Sequence, residues 1–125
     1  LSRLAELAES TRRAGVPVEL TVGPVPEVPD TVGTAAYRIV QESLSNVIRH
    51  APGARTSVAV SDGDGALSLE VLNDPPATPP APAPPGGHGL HGMRERVRLL
   101  GGSLETGPRD GGGYRVAARL PLAGE

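Results

Sequence analysis

Glu42, Asn46 and His50 are spaced i, i+4 and i+8 in a stretch whose apolar residues recur at helical spacing, so they form one polar row beside an apolar stripe. An acid, an amide and an imidazole in a row suit an anionic ligand accompanied by a hard cation. A carboxamide oxygen is a hard ligand, and Mg2+ takes few protein ligands when phosphates supply the others. On spacing alone the commoner meaning is a solvated helix face.

Two further stretches could carry chemistry. Gly86-Gly87-His88-Gly89-Leu90-His91-Gly92-Met93 places glycines at the start of a helix. Backbone N–H groups there can approach an anion, and the helix dipole favours negative charge. The spacing is neither that of a P-loop, since no Gly-Lys-Ser/Thr follows, nor that of a dinucleotide fingerprint in a βαβ unit. Read alone, it is as readily a plain turn. Val71-Leu72-Asn73-Asp74-Pro75 ends a strand with an amide and a carboxylate, either of which can accept a hydrogen bond from the amino group of a base. The same pair can simply open a turn. His50, His88 and His91 do not match a zinc ligand set, and the chain has no Cys.

The elements that must position these groups follow from periodicity. Residues 1–14 read as a helix with Leu1, Leu4, Leu7 and Ala8 on one face and Gly15 as its stop. Residues 16–22 read as a strand and 23–29 as a Pro-rich connection. Asp30 or Thr31 is expected to cap a long helix to about residue 50, with Val32, Ala36, Ile39, Val40, Leu44 and Val47 as its stripe and Pro52-Gly53 as its end. Strands are expected over 55–61 and 66–73, joined through Asp62-Gly63-Asp64-Gly65, a hairpin signal. Seven of the eleven residues over 75–85 are proline, which excludes a regular helix or central strand there. A helix follows to about residue 100, carrying Leu90, Met93, Val97 and Leu100, and Gly101-Gly102 terminates it. A last strand pair is expected over 103–106 and 113–120. Strands that neighbour one another in sequence, together with a few helices, predict an α+β two-layer sandwich.

Composition narrows the function classes. The 125 residues suffice for one core and not two. With no Phe or Trp and only two Tyr, that core must be aliphatic. Gly (17) and Pro (14) are high but clustered, which marks loops. A net charge of −2 offers no footprint for nucleic acid. No apolar run approaches the roughly 20 residues of a membrane helix, so direct membrane contact is not expected. The absence of Cys fits a cytoplasmic domain.

Taken in order, these stretches resemble one family. Residues 36–51, from Ala36-Tyr37-Arg38 through Gln41-Glu42-Ser43 and Asn46 to Arg49-His50-Ala51, are similar to the asparagine box of two-component sensor histidine kinases. The likeness is to the subfamily of the nitrate sensors and the desaturase-regulating kinase. Residues 87–97, with Gly89-Leu90-His91-Gly92-Met93-Arg94-Glu95-Arg96, resemble its second glycine box, and Gly101-Gly102-Ser103-Leu104 and 112–121 resemble its ending. The resemblance implies the Bergerat ATP-binding fold, a mixed sheet with helices on one face, and an ATP- and Mg2+-dependent protein-histidine kinase. It implies Asn46 on Mg2+, Glu42 orienting or deprotonating the attacking group, and Arg49 and His50 toward the phosphates. Gly87, His88, Gly89, Leu90, Gly92 and Met93 would line the nucleotide, Met93 equally fitting plain core. The segment of about 75–88 would be a lid over ATP. Residues 1–15 would be a helical connection from a dimerisation and phosphoacceptor domain, and 16–125 the catalytic domain. Its partners would be that helical domain and, downstream, a response regulator. A degenerate nucleotide-binding or regulatory module, or an anti-sigma-factor-type serine kinase, shares the fold.

Asn73-Asp74-Pro75 stands where the family's adenine motif is Asp-x-Gly. Asn can still accept from an adenine amino group, but as an uncharged acceptor it makes a weaker bond. Pro in place of Gly removes an N–H and stiffens the chain.

Overall fold

The computed structural model describes residues 3–23, 28–76 and 88–122, with 88–91 described by backbone alone. Its elements are α1 (Arg3–Arg13), β1 (Val18–Val22), α2 (Asp30–His50), β2 (Thr56–Gly63), β3 (Ala66–Asn73), α3 (His88–Leu99), β4 (Ser103–Pro108) and β5 (Tyr114–Pro121). The strands form one sheet in the order β1-β2-β3-β5-β4. β1 runs parallel to β2 and every other pair is antiparallel, so the sheet is mixed, as expected.

Alternation decides which face meets the helices. On β3, Leu67, Leu69 and Val71 are buried and lie directly opposite Leu120, Ala118 and Val116 of β5. These pairs pack beneath Val32, Ala36, Ile39, Val40, Leu44 and Val47 of α2. α1 adds Leu4 and Ala8 to the same core, and α3 adds the fully buried Val97. The intervening strand residues face away. There Arg115 bridges Glu70 at 2.9 Å and Glu105 at 3.8 Å. Such exposed pairs contribute little stability but keep that face polar. Among the described residues no helix is long and apolar enough to cross a membrane.

Local chemistry explains the turns. Asp64 (φ 55°) and Gly65 (φ 74°) both take positive φ between β2 and β3, the conformation of a two-residue type I′ hairpin. Because the loop is only these two residues, β2 extends to Gly63, further than the turn signal suggests. α1 and α3 end alike. The Gly102 N–H donates to Val97 O at 2.9 Å and the Gly101 N–H to Arg98 O at 3.0 Å; at α1 the Val16 N–H donates to Thr11 O and the Gly15 N–H to Arg12 O. Gly15 and Gly101 supply the left-handed residue that this closure requires.

The start of α2 differs from expectation. Pro29 is the N-cap, and no side chain caps the helix. Its ψ of 146° is extended, while its carbonyl already accepts the Gly33 N–H at 2.9 Å. Asp30 therefore sits inside the first turn, where its charge complements the helix dipole.

Gly102 is the tightest junction of α3 with the sheet: a Cβ there would collide with the Arg119 carbonyl oxygen and press Val97 at 3.2 Å. Gly102→Ala is expected to destabilise by about 2 kcal/mol and lower Tm by roughly 8 °C. Gly107→Ala, which meets nothing within 4 Å, is the control and should stay within about 0.5 kcal/mol. Thermal melts of the two variants check both.

Candidate functional site

The residues at the end of the helix-facing rows build the site. Asn73 continues the buried row Leu67, Leu69, Val71 by one step, so alternation alone turns its side chain toward the helical layer. Its cross-strand partner is Tyr114, which likewise continues the row Leu120, Ala118, Val116. Above this last pair α2 supplies Asn46, Val47 and His50. The space between is a cavity of about 620 Å3, also lined by Arg94 of α3 and Thr106 of β4. That volume is in the range of small-molecule sites, roughly 300–1,000 Å3.

The floor of the cavity is held from several directions. Asn73 is 8% exposed. Its Nδ2 donates to Asp74 O at 2.9 Å, and among the described residues its Oδ1 accepts no hydrogen bond. The side chain lines the cavity with that acceptor unused among the described residues. Arg109, in the β4–β5 turn, donates from Nη1 to Asn73 O at 3.0 Å and lies 3.4 Å from the Asp74 carboxylate. Gly113 (φ 87°) brings its bare Cα against the Asn73 carbonyl, where a Cβ would collide, and a Cβ on Gly112 would press Pro75. Arg94 is fixed by Leu104 O at 3.4 Å and Thr106 Oγ1 at 3.1 Å.

The α2 row divides between the cavity and its rim. Asn46 and His50 line the cavity, whereas Glu42 and Arg49 do not. The Arg49 guanidinium holds Asn46 Oδ1 by a short hydrogen bond and lies 3.5 Å from Glu42 Oε2. A positive group thus already rests on the amide oxygen that would ligate a cation. A carboxamide oxygen such as Asn46 Oδ1 is a ligand type that Mg2+, a hard ion, accepts beside phosphate oxygens.

Apart from Glu42 and Arg49 on the rim, the expected site residues are placed as follows. Asn46, His50 and Asn73 meet at the cavity. Asp74 stands beside it, 54% exposed and paired with Arg109. Met93 is half-buried and packs against the core, with Arg94 rather than Met93 on the cavity wall. His88, Gly89, Leu90 and Gly92 lie in the first turns of α3, so a helix N-terminus does follow the glycine segment. Gly87, most of the expected 75–88 lid and the side chains of 88–91 are outside the described residues. Sequence reasoning missed Tyr114, Arg94, Thr106 and Arg109. Tyr114 could have been found from its i, i−2 relation to Val116; the others depend on long-range packing without a local signal.

The fold has known counterparts. Residues 31–124 match the family model described as histidine kinase-, DNA gyrase B-, and HSP90-like ATPase. A sensor histidine kinase of Bacillus subtilis, YxjM, is 33% identical over 112 residues, which are 88% of this chain and 27% of that protein. The signal transduction histidine-protein kinase/phosphatase UhpB of Salmonella typhimurium is 36% identical over 85 residues, 68% of this chain and 16% of that protein. The chain therefore spans about a quarter or less of these relatives. The solved structure of the mycobacterial sensor histidine kinase MprB superposes with a TM-score of 0.69 at 21% identity, covering 98% of this chain and 97% of that one. A mixed sheet carrying its helices on one face, an asparagine-bearing α2 over the cavity and a match across three quarters of the length agree, and the chain belongs to the histidine kinase-, DNA gyrase B- and HSP90-like ATPase family.

Proposed function

We propose that this chain is the ATP-binding catalytic domain of a sensor histidine kinase and that the cavity between α2 and the β3–β5 pair receives the nucleotide. The observation that carries the reading is the convergence of Asn46, His50 and Asn73 on one cavity within a chain of this family. The base would enter beside Asn73 and Tyr114, with Asn73 Oδ1 accepting from an amino group. The phosphates would lie toward Asn46, His50 and the N-terminal turn of α3, where backbone N–H groups favour an anion. A Mg2+ ion bound there would neutralise phosphate charge.

In the transfer step the bond from the γ-phosphorus to the leaving oxygen breaks, a bond to a histidine nitrogen forms, and ADP departs. Such chemistry rests on positioning and charge neutralisation. Glu42 would orient the attacking imidazole or take its proton, while the segment about 75–88 would exclude water so that histidine is the acceptor. The acceptor would lie on a helical domain of the parent protein, joined through residues 1–15, and the phosphoryl group would pass to a response regulator in the cytoplasm.

Mg-ATP at 100 times its Kd should add ~2.7 kcal/mol and raise Tm by roughly 10 °C in a domain of this size. Asn46→Ala should abolish that rise in a thermal melt, and autophosphorylation in the parent kinase. A rise of equal size in the variant would remove Asn46 from the site.

Asn73→Asp tests the base end. The carboxylate would place an oxygen against the Asp74 carbonyl, where Nδ2 now donates. The nucleotide-free variant should therefore lose about 1–2 kcal/mol, seen as a lower Tm, while the charged acceptor strengthens ATP binding. Tight ATP binding by the variant and none by the parent chain would favour a degenerate, regulatory module.

A further inference from the structure

We propose that Arg49 is a resident counter-cation that engages the Asn46 amide oxygen from the rim of the cavity and must withdraw before a divalent ion can bind there; this rests on the nucleotide reading above. The argument begins with what Arg49 touches. It lies seven residues beyond Glu42 and three beyond Asn46, so one α-helical face presents all three. Its Nη2 donates to Asn46 Oδ1 and lies 3.5 Å from Glu42 Oε2. One guanidinium nitrogen thus engages both groups assigned to the reaction, the amide as metal ligand and the carboxylate as orienting group.

A divalent ion on Asn46 Oδ1 would approach the oxygen on which the guanidinium rests. Mg2+ sits about 2.1 Å from its oxygens, and although the amide oxygen has a second lone pair, the like charges of the ion and the guanidinium oppose their sharing it. The Arg49 side chain is 43% exposed and Glu42 30%, so the guanidinium is free to swing outward. It would then meet the phosphates of an arriving nucleotide, which it can bind as a planar fork. Two consequences follow for binding. The site has a cation of its own and holds ATP in the absence of metal. Mg2+ must also displace that cation, so its apparent affinity is lowered. Withdrawal of Arg49 releases Glu42 at the same time, which couples metal entry to freeing of the carboxylate.

The test is a binding titration of the chain at low salt, with Arg49→Ala and Arg49→Lys beside it. ATP affinity is measured in EDTA, and the Mg2+ concentration for half-maximal strengthening of ATP binding is measured separately. Arg49→Ala should bind metal-free ATP roughly fivefold or more weakly and reach its Mg2+ half-point at roughly fivefold or more lower concentration. Arg49→Lys, charged but unable to fork, should fall between the two. A phosphate contact alone predicts the first change without the second. An unchanged or higher Mg2+ half-point in Arg49→Ala therefore overturns the inference, even where metal-free affinity falls. Absence of ATP binding by the parent chain in both conditions is a different failure, that of the nucleotide reading, and this inference falls with it.

Discussion

The aliphatic contact between α2 and the β3–β5 pair determines where everything polar must go. Without Phe or Trp, the core cluster is built of Val, Leu, Ile and Ala, and α2 contributes seven buried positions to it. That contact ends where Val71 and Val116 give way to Asn73 and Tyr114. Beyond the last apolar pair the two layers still face one another, and the cavity opens there, lined by Asn46, His50, Asn73 and Tyr114. Its chemistry is therefore a property of position: the helix places Asn46 and His50 next to the buried Val47, and the strand places Asn73 next to the buried Val71.

The Asn73-Asp74-Pro75 segment, proposed to meet the base, is built into its surroundings. Asn73 and Asp74 are gripped from the β4–β5 turn by Arg109, and the turn reaches them because Gly112 and Gly113 are bare. Gly113 takes a φ of 87°, which few other residues tolerate, and Gly112 accommodates the ring of Pro75. Asn73, Asp74, Pro75, Arg109, Gly112 and Gly113 thus form one junction between two strands distant in sequence. These residues contact one another, so the effects of changing them will not add simply.

Much of this was legible in the sequence because its causes are local. The Asp64-Gly65 hairpin follows from residues that tolerate positive φ, and the ends of α1 and α3 follow from Gly15 and Gly101. The α2 stripe and the polar row beside it follow from helical periodicity, and the asparagine and glycine boxes identify the family because they occur together in order. What was not legible depends on approach between distant segments. Arg109 finds Asn73 across 36 positions, and Arg94 reaches Thr106 only because α3 lies over β4. The N-cap of α2 falls before the expected Asp30 or Thr31 for another reason: both have the right chemistry for a cap, but Pro29 already has the extended backbone that a cap requires.

The two tyrosines give the molecule an optical asymmetry. Tyr37 stands under the guanidinium of Arg3, 4.4 Å from its ring centre, on the side of α2 that meets α1. Tyr114 stands at the cavity, 41% exposed. With no tryptophan to mask them, these phenol rings account for nearly all of the chain's near-ultraviolet absorption and emission. A molecule entering the cavity changes the surroundings of one chromophore and leaves the other as an internal reference, so occupancy is reported by the unlabelled chain itself.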